Sequence, residues 1–450
     1  MASLCFESAQ RIALQLRRRE LSAVECLEYF RARVERLNPA INAIIVTDWQ
    51  RACESARLAD QALAQGRPVG QLHGVPMTVK ESFDVAGLPT TWGDRSLSYV
   101  AERDDSVVER LKAAGVVIFG KTNVPYHLLD FQTYNDVYGV TNNPWDRTRT
   151  PGGSSGGAAA ALAAGLTSLE VGSDIGGSIR NPAHYSGVFG HKPTFGIVAS
   201  ERLAPPPSVA GIDLAVAGPL ARSAEDLDAT LRLLVGPGGL DHGVRVELPQ
   251  SRRKLSEYRV AVWPTDAVSP VQREIADRCQ SLGDRLASLG VKVSDRARPA
   301  FTAEHAASVY RKLLSSATNT QSELTHRDWL QLDEERARLR LAWHEFFREW
   351  DIVVCPIAVC VAFEHLHGAY RGRRLRIDNT DVPYFQQLFW AGLATCSYLP
   401  STVFPTGVGT QQLPIGLQAI GPAYADLQTI EFARLVAQEF GGFQPPPGFD

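Results

Sequence analysis

No uninterrupted apolar run in this 450-residue chain approaches the roughly 18–20 residues that a membrane-spanning helix needs, and the Ala-rich stretch 158–164 falls far short. We therefore expect no membrane partner. Behind Met1 the residues are polar and then Arg-rich, with no apolar core of a secretory signal. The seven cysteines are odd in number, scattered, and contain no C-x-x-C pair; this argues against a disulfide framework and for the reducing cytoplasm. Lysine is scarce as well, with seven among 46 basic residues, so a lysine inside an apolar segment stands out. A net charge of −3 with dispersed basic residues argues against a dedicated nucleic-acid binder. Metal-ligand patterns are equally thin. His344-Glu345 lacks the second His that H-E-x-x-H requires, and His365 and His367, alternating on a strand, would face opposite sides.

What is present is enough for a large core: 44% of the residues are hydrophobic and 21% charged. The first 65 residues read as helices. Ser22 and Glu25 form a capping box, Leu27, Phe30, Val34 and Leu37 recur at helical spacing, and Asn38-Pro39 ends the pattern; a second helix runs from about Asp48 to Gly66. Val75 to Val79 and Val116 to Phe119 read as buried strands, with a helix opened by a Ser106/Glu109 capping box before the second. The clearest local unit is βαβ: a strand over 259–263, a helix with Ser269 as N-cap and Pro270 at its first position, and a strand starting at Val291. It predicts a parallel or mixed sheet. A charged helical stretch follows over 300–350, then a strand over 351–359.

Gly115-Val-Val-Ile-Phe-Gly120-Lys121-Thr122 satisfies the phosphate-loop pattern letter for letter. That motif works through a flexible loop whose N–H groups curl around phosphate before a helix. Val, Val, Ile and Phe favour a strand instead, and Pro125 would interrupt the following helix. The segment reads as structural.

The stretch from Pro151 to Thr194 is different. Pro151-Gly-Gly-Ser154-Ser155-Gly-Gly and Gly172-Ser-Asp174-Ile175-Gly176-Gly177-Ser178-Ile-Arg180 bracket a short Ala helix. Glycine clusters make turns, but glycines just before a serine also let successive N–H groups converge on one point, as an oxyanion hole requires. Ser178 is a candidate nucleophile, with the N–H groups of Ile175, Gly176, Gly177 and Ser178 as candidate donors. A serine needs a base. His184 and His191 are nearest in sequence, yet neither has an obvious orienting acid. Lys80, ending the apolar strand, is the alternative: lost hydration there lowers its pKa and frees the amine. Residue type alone leaves Lys80 open between such a base and a snorkelling or Glu81-paired lysine.

Lys80, Ser154 and Ser178, in these settings, resemble the amidase signature family of serine hydrolases. Gly74-Val-Pro-Met-Thr-Val-Lys80-Glu, Gly120-Lys-Thr-Asn123, Gly190-His-Lys-Pro-Thr194, Gly218-Pro-Leu-Ala-Arg222-Ser and Leu413-Pro-Ile-Gly-Leu-Gln418 are similar to family blocks, so the likeness covers nearly the whole chain. It implies an α/β fold with a mixed sheet sandwiched between helices. It also implies one domain over 1–450, with N-terminal helices over 1–65, the signature core over 66–240, and a βαβ-containing part over 241–450 completing the sheet. Ser178 would attack a carbonyl, Ser154 would relay its proton and neutral Lys80 would accept it, with a cis peptide at Gly153–Ser154. Ser155 and Asp174 would support these residues. Arg180 would anchor the glycine loop or meet an anionic substrate. Tyr126, Leu128 and Phe131, with Ile175, would favour an uncharged apolar group. The resemblance implies no metal or cofactor, and a small-molecule amide or carbamate, aryl amides and esters included, as substrate. A homodimer is the oligomeric expectation. The rival within the family is the glutamine-hydrolysing subunit of a tRNA-dependent amidotransferase, and a catalytically silent scaffold is the rival outside it. His191 departs from the family pattern, standing where an apolar residue is commoner.

Overall fold

Val260, Ala261 and Val262 make the strand Arg259–Val262 apolar and buried, and both its neighbours, Lys292–Ser294 and Ile352–Cys355, run parallel to it. The helix between the first two, Arg273–Ser288, buries Ile275, Cys279, Leu282 and Leu286, which is the amphipathic stripe a helix needs to cover a sheet. Beyond Ile352–Cys355 the sheet continues antiparallel through Pro414–Ile420, Ser401–Val408, Phe189–Lys192 and Val216–Ala221 to the edge strand Glu170–Asp174. A second sheet orders Ile44–Thr47, Val117–Thr122 and Pro76–Lys80, the last two parallel. The structure, a computed structural model, describes residues 4–449 except 202, 206–207, 239–242, 252, 320–322, 369 and 371. Twelve α-helices flank these sheets among the described residues, and none is long and apolar enough to cross a membrane.

The two sheets meet edge to edge where Pro76–Lys80 lies beside Glu170–Asp174. Thr78 donates its N–H to the Thr167 hydroxyl at 3.0 Å and its own hydroxyl to the Glu170 carboxyl. Below this seam runs the helix Gly156–Ala163, all eight of its residues buried. Its small side chains follow from what surrounds it: a Cβ on Gly157 would stand 2.6 Å from the Asn123 carbonyl oxygen, inside any allowed contact. Close backbone approach, rather than turn making, accounts for glycine there.

Several local expectations are corrected. The helix Ala23–Ile41 continues through Pro39 and stops only at Asn42, whose left-handed conformation ends it. Pro39 sits in the last turn, where the break in the ladder costs little. Ile44–Thr47 is a strand inside the stretch read as helical. Asp105, not Ser106, caps the helix Ser106–Ala113, accepting from Val107 N–H at 3.0 Å. Ser269 caps nothing; its hydroxyl donates to the Gln386 carbonyl, and the helix begins at Arg273. His365 and His367 lie in irregular chain with ring centroids 5.6 Å apart, so they do not face opposite ways. No group of three or more His, Cys, Asp or Glu able to hold a metal is found among the described residues. The phosphate-loop look-alike is strand: Gly120, Lys121 and Thr122 all pair within Val117–Thr122.

Candidate active site

Lys80 is the last residue of Pro76–Lys80 and is fully buried. Its Nζ donates to Ser154 Oγ at 2.7 Å and to Ser173 Oγ at 3.0 Å. Burial lowers its pKa from the ordinary 10.5 to about 7, against the opposing pull of Asp174, Glu170 and Glu81. Ser154 follows a cis peptide at Gly153. A Cβ on Gly153 would collide with the carbonyl oxygens of Asp130 and Gln132, so only glycine lets this segment pack there. Ser155 N–H donates to the Ser178 carbonyl at 3.0 Å, which draws the two glycine-rich loops together. The side chains of Lys80 and Ser154 therefore touch, and Ser178 joins them through the main chain of the next residue. Among the described residues, nothing hydrogen-bonds the Ser178 hydroxyl.

The loop before Ser178 is organised by Asp174. Its carboxylate accepts from Gly177 N–H at 3.0 Å, from Ile179 N–H at 3.1 Å and from the Arg180 guanidinium at 3.0 Å on each oxygen. Burial pushes this carboxyl up, but the charge and hydrogen bonds of Arg180, with Lys192 nearby, hold it below the usual range. The Gly177 N–H is thereby spent, which narrows the four expected donors to Ile175, Gly176 and Ser178. Arg180 directs its remaining donors to Ala391 O, Gln418 Oε1 and Thr395 Oγ1. It faces the interior and anchors the loop, so no donor is left for an anionic ligand.

The histidines are occupied elsewhere. His184 accepts from Gly416 N–H at 2.8 Å, and burial pulls its pKa down to about 4, so it is neutral. His191 does have an acid, Asp426, at 3.2 Å, with Thr402 on its other nitrogen at 2.8 Å. This buried network explains a histidine in an apolar setting. Of the expected pocket residues, Phe131 is buried, Leu128 half-buried and Tyr126 exposed on the rim, stacked on His127.

Three participants carried no usable sign in the sequence. Ser173 takes the second Lys80 bond. Its position inside Gly172-Ser-Asp174 was visible, but on a strand it could face either side. Tyr310, on the helix Ala303–Thr318, donates to the Ile175 carbonyl at 2.7 Å from 135 residues away. Glu170 is fully buried beside Thr78, and burial raises its carboxyl to about 8.

A buried lysine, two serines and a glycine loop, set on the seam of a mixed α/β fold, form a candidate acyl-transfer site. The family comparison agrees: the amidase family model matches residues 25–326 and 302–430. The chain belongs to the amidase signature family of hydrolases. It is 29% identical over 483 residues to the fatty-acid amide hydrolase 2-A of Danio rerio, covering 98% of this chain and 90% of that protein. It is 31% identical over 502 residues to one subunit of the glutamyl-tRNA(Gln) amidotransferase of Ralstonia nicotianae, covering 95% and 96%. A solved bacterial aryl acylamidase of the amidase signature enzymes shares its fold with a TM-score of 0.83 at 22% identity, covering 97% of this chain and 96% of that one.

Proposed function

We propose that this amidase-family hydrolase cleaves uncharged small-molecule C–N acyl bonds, amides first and aryl amides or carbamates (urethanes) with them, through an acyl-enzyme on Ser178. The observation that carries the reading is the 2.7 Å bond between Lys80 and Ser154 in a fully buried setting. Once Lys80 has lost its proton, its lone pair accepts the Ser154 proton across that distance while Ser154 takes the proton of the attacking Ser178. The amides of Ile175, Gly176 and Ser178, which Asp174 leaves uncommitted, receive the oxyanion in this reading. Ser154 then returns a proton to the departing amine, Lys80 supplying it in turn. Water repeats the cycle on the ester and releases the acid. Ser155 and Asp174 hold the two loops, and Arg180 acts as an anchor.

Glutamine hydrolysis is the alternative that the similarity to the amidotransferase favours. Glutamine carries an ammonium and a carboxylate, which call for unspent opposite charges. Two buried ion pairs beside the loops are already formed, Arg180 with Asp174 and Arg373 with Asp130. That pairing supports an uncharged substrate. The test is a fluorophosphonate label read by peptide mass, combined with turnover of anilides, aliphatic amides, carbamates, esters and glutamine. Label on the peptide containing Ser178, with anilide or carbamate turnover and none of glutamine, is the expected result. Ammonia release from glutamine alone, or label on a cysteine, overturns it.

A further inference from the structure

Two segments that carry neighbouring aromatic rings pack against the two glycine-rich loops. The chain on both sides of Phe131 is pressed against Gly153, since a Cβ there would collide with the Asp130 and Gln132 carbonyls. On the other loop, a Cβ on Gly176 would lie 3.2 Å from Leu388 Cδ2. Phe385 lies three residues before Leu388 in the chain, and its ring centroid is 6.3 Å from that of Phe131. Phe131 is buried, but Phe385 is 41% exposed, so part of this apolar ring stays open.

The two rings are held in place. Phe385 follows the hairpin made by Arg374–Ile377 and Thr380–Pro383. The hairpin is closed by Tyr384 N–H donating to the Arg373 carbonyl at 3.1 Å. Arg373 reaches Asp130 at 2.7 Å, and Tyr384 donates its hydroxyl to the same carboxylate. The hairpin is thus fastened to the residue next to Phe131, and the two rings keep their relation.

The side of the scissile bond follows from the chemistry. The group that protonates a departing nitrogen must stand beside it, and in the proposed function that group is Ser154. Ser154 follows Gly153, against which the Phe131 segment packs. We infer that Phe385, with Phe131, is the specificity-determining wall for an aryl or arylalkyl group on the amine side of the substrate. This inference rests on the proposed function above.

The test compares N-benzylacetamide, N-propylacetamide and N-propyl-phenylacetamide on the wild-type protein and on Phe385→Ala and Phe385→Trp. For each substrate the ratio of variant to wild type cancels the basicity of its leaving amine, so these ratios read binding rather than leaving-group chemistry. Because Phe385 is partly exposed, Phe385→Ala is expected to fold, which circular dichroism and fluorophosphonate labelling of Ser178 would verify. The expected result for Phe385→Ala is a loss of about 10- to 100-fold in kcat/KM for the N-benzyl substrate, mainly through KM. The other two substrates should change by less than about 3-fold, and Phe385→Trp should restore most of the loss. An equal loss on all three, or a loss confined to the phenylacetyl substrate, overturns the wall. Wild-type protein that is labelled at Ser178 but turns over none of the three overturns the substrate class and the wall with it. Wild-type turnover with no discrimination in the variants overturns the wall alone.

Discussion

Replacing Lys80 with methionine separates what the amine does from what it costs the fold. An ordinary lysine titrates at 10.5, whereas burial brings Lys80 to about 7. At pH 7 about half the molecules then carry the free amine, against about 1 in 3000 for the ordinary side chain, ten to the power of 10.5 minus 7. The wild-type kcat/KM should therefore rise with pH through about 7 and level off above it, and Lys80→Met should lose at least about three orders of magnitude in rate. Stability runs on the same titration. Between pH 7 and 10.5 the unfolded chain keeps a proton on Lys80 that the folded chain has released. The unfolded state binds more protons there, and wild-type stability gains about 1.4 kcal/mol per pH unit relative to the variant. Below pH 7 both states hold the proton, and the lysine is at its most costly. Scanning calorimetry of both proteins at pH 6, 7.5 and 9 should show the advantage of Lys80→Met greatest at pH 6 and shrinking steadily above 7. A rate that stays level from pH 5.5 to 8.5, or a stability difference unchanged over the same range, would refute the reasoning.

Ser178→Ala should abolish fluorophosphonate labelling and turnover while leaving the melting temperature within a few degrees, since its hydroxyl holds no other group. Asp174→Asn should destabilise by about 3–5 kcal/mol, because it leaves the buried Arg180 guanidinium without its countercharge; urea unfolding would read this as a lowered midpoint. Gly153→Ala should lose labelling as well as stability, its new methyl meeting the Asp130 and Gln132 carbonyls; retention of full labelling would show that Ser154 tolerates displacement.

The residues that touch were legible where chemistry forces a residue type. Lys80 stood out because a lysine ends an apolar strand, and Ser178 because glycines precede it. The strands Pro76–Lys80 and Val117–Thr122 were legible from the short, mostly apolar runs Val75–Val79 and Val116–Phe119 that lie within or beside them. Boundaries were poorer. Asp105 and Ser106 are both acceptable caps, and the choice between them is made by a tertiary contact, Asp105 N–H to the Asp84 carbonyl. Spacing could not tell that Gly177 gives its N–H to Asp174, because that depends on which way the carboxylate turns. Tyr310 and Phe385 were invisible: each is an ordinary aromatic whose meaning comes from a partner more than 130 residues away in the first case and 254 in the second.

The hairpin Arg374–Pro383 belongs to neither of the two sheets that meet at the candidate site, and most of its side chains are exposed. With Phe385 as the wall proposed above, changes in that segment would reshape which amines are admitted while the buried surroundings of Lys80 stay fixed. Exchanging this ribbon is the direct laboratory test of such a division.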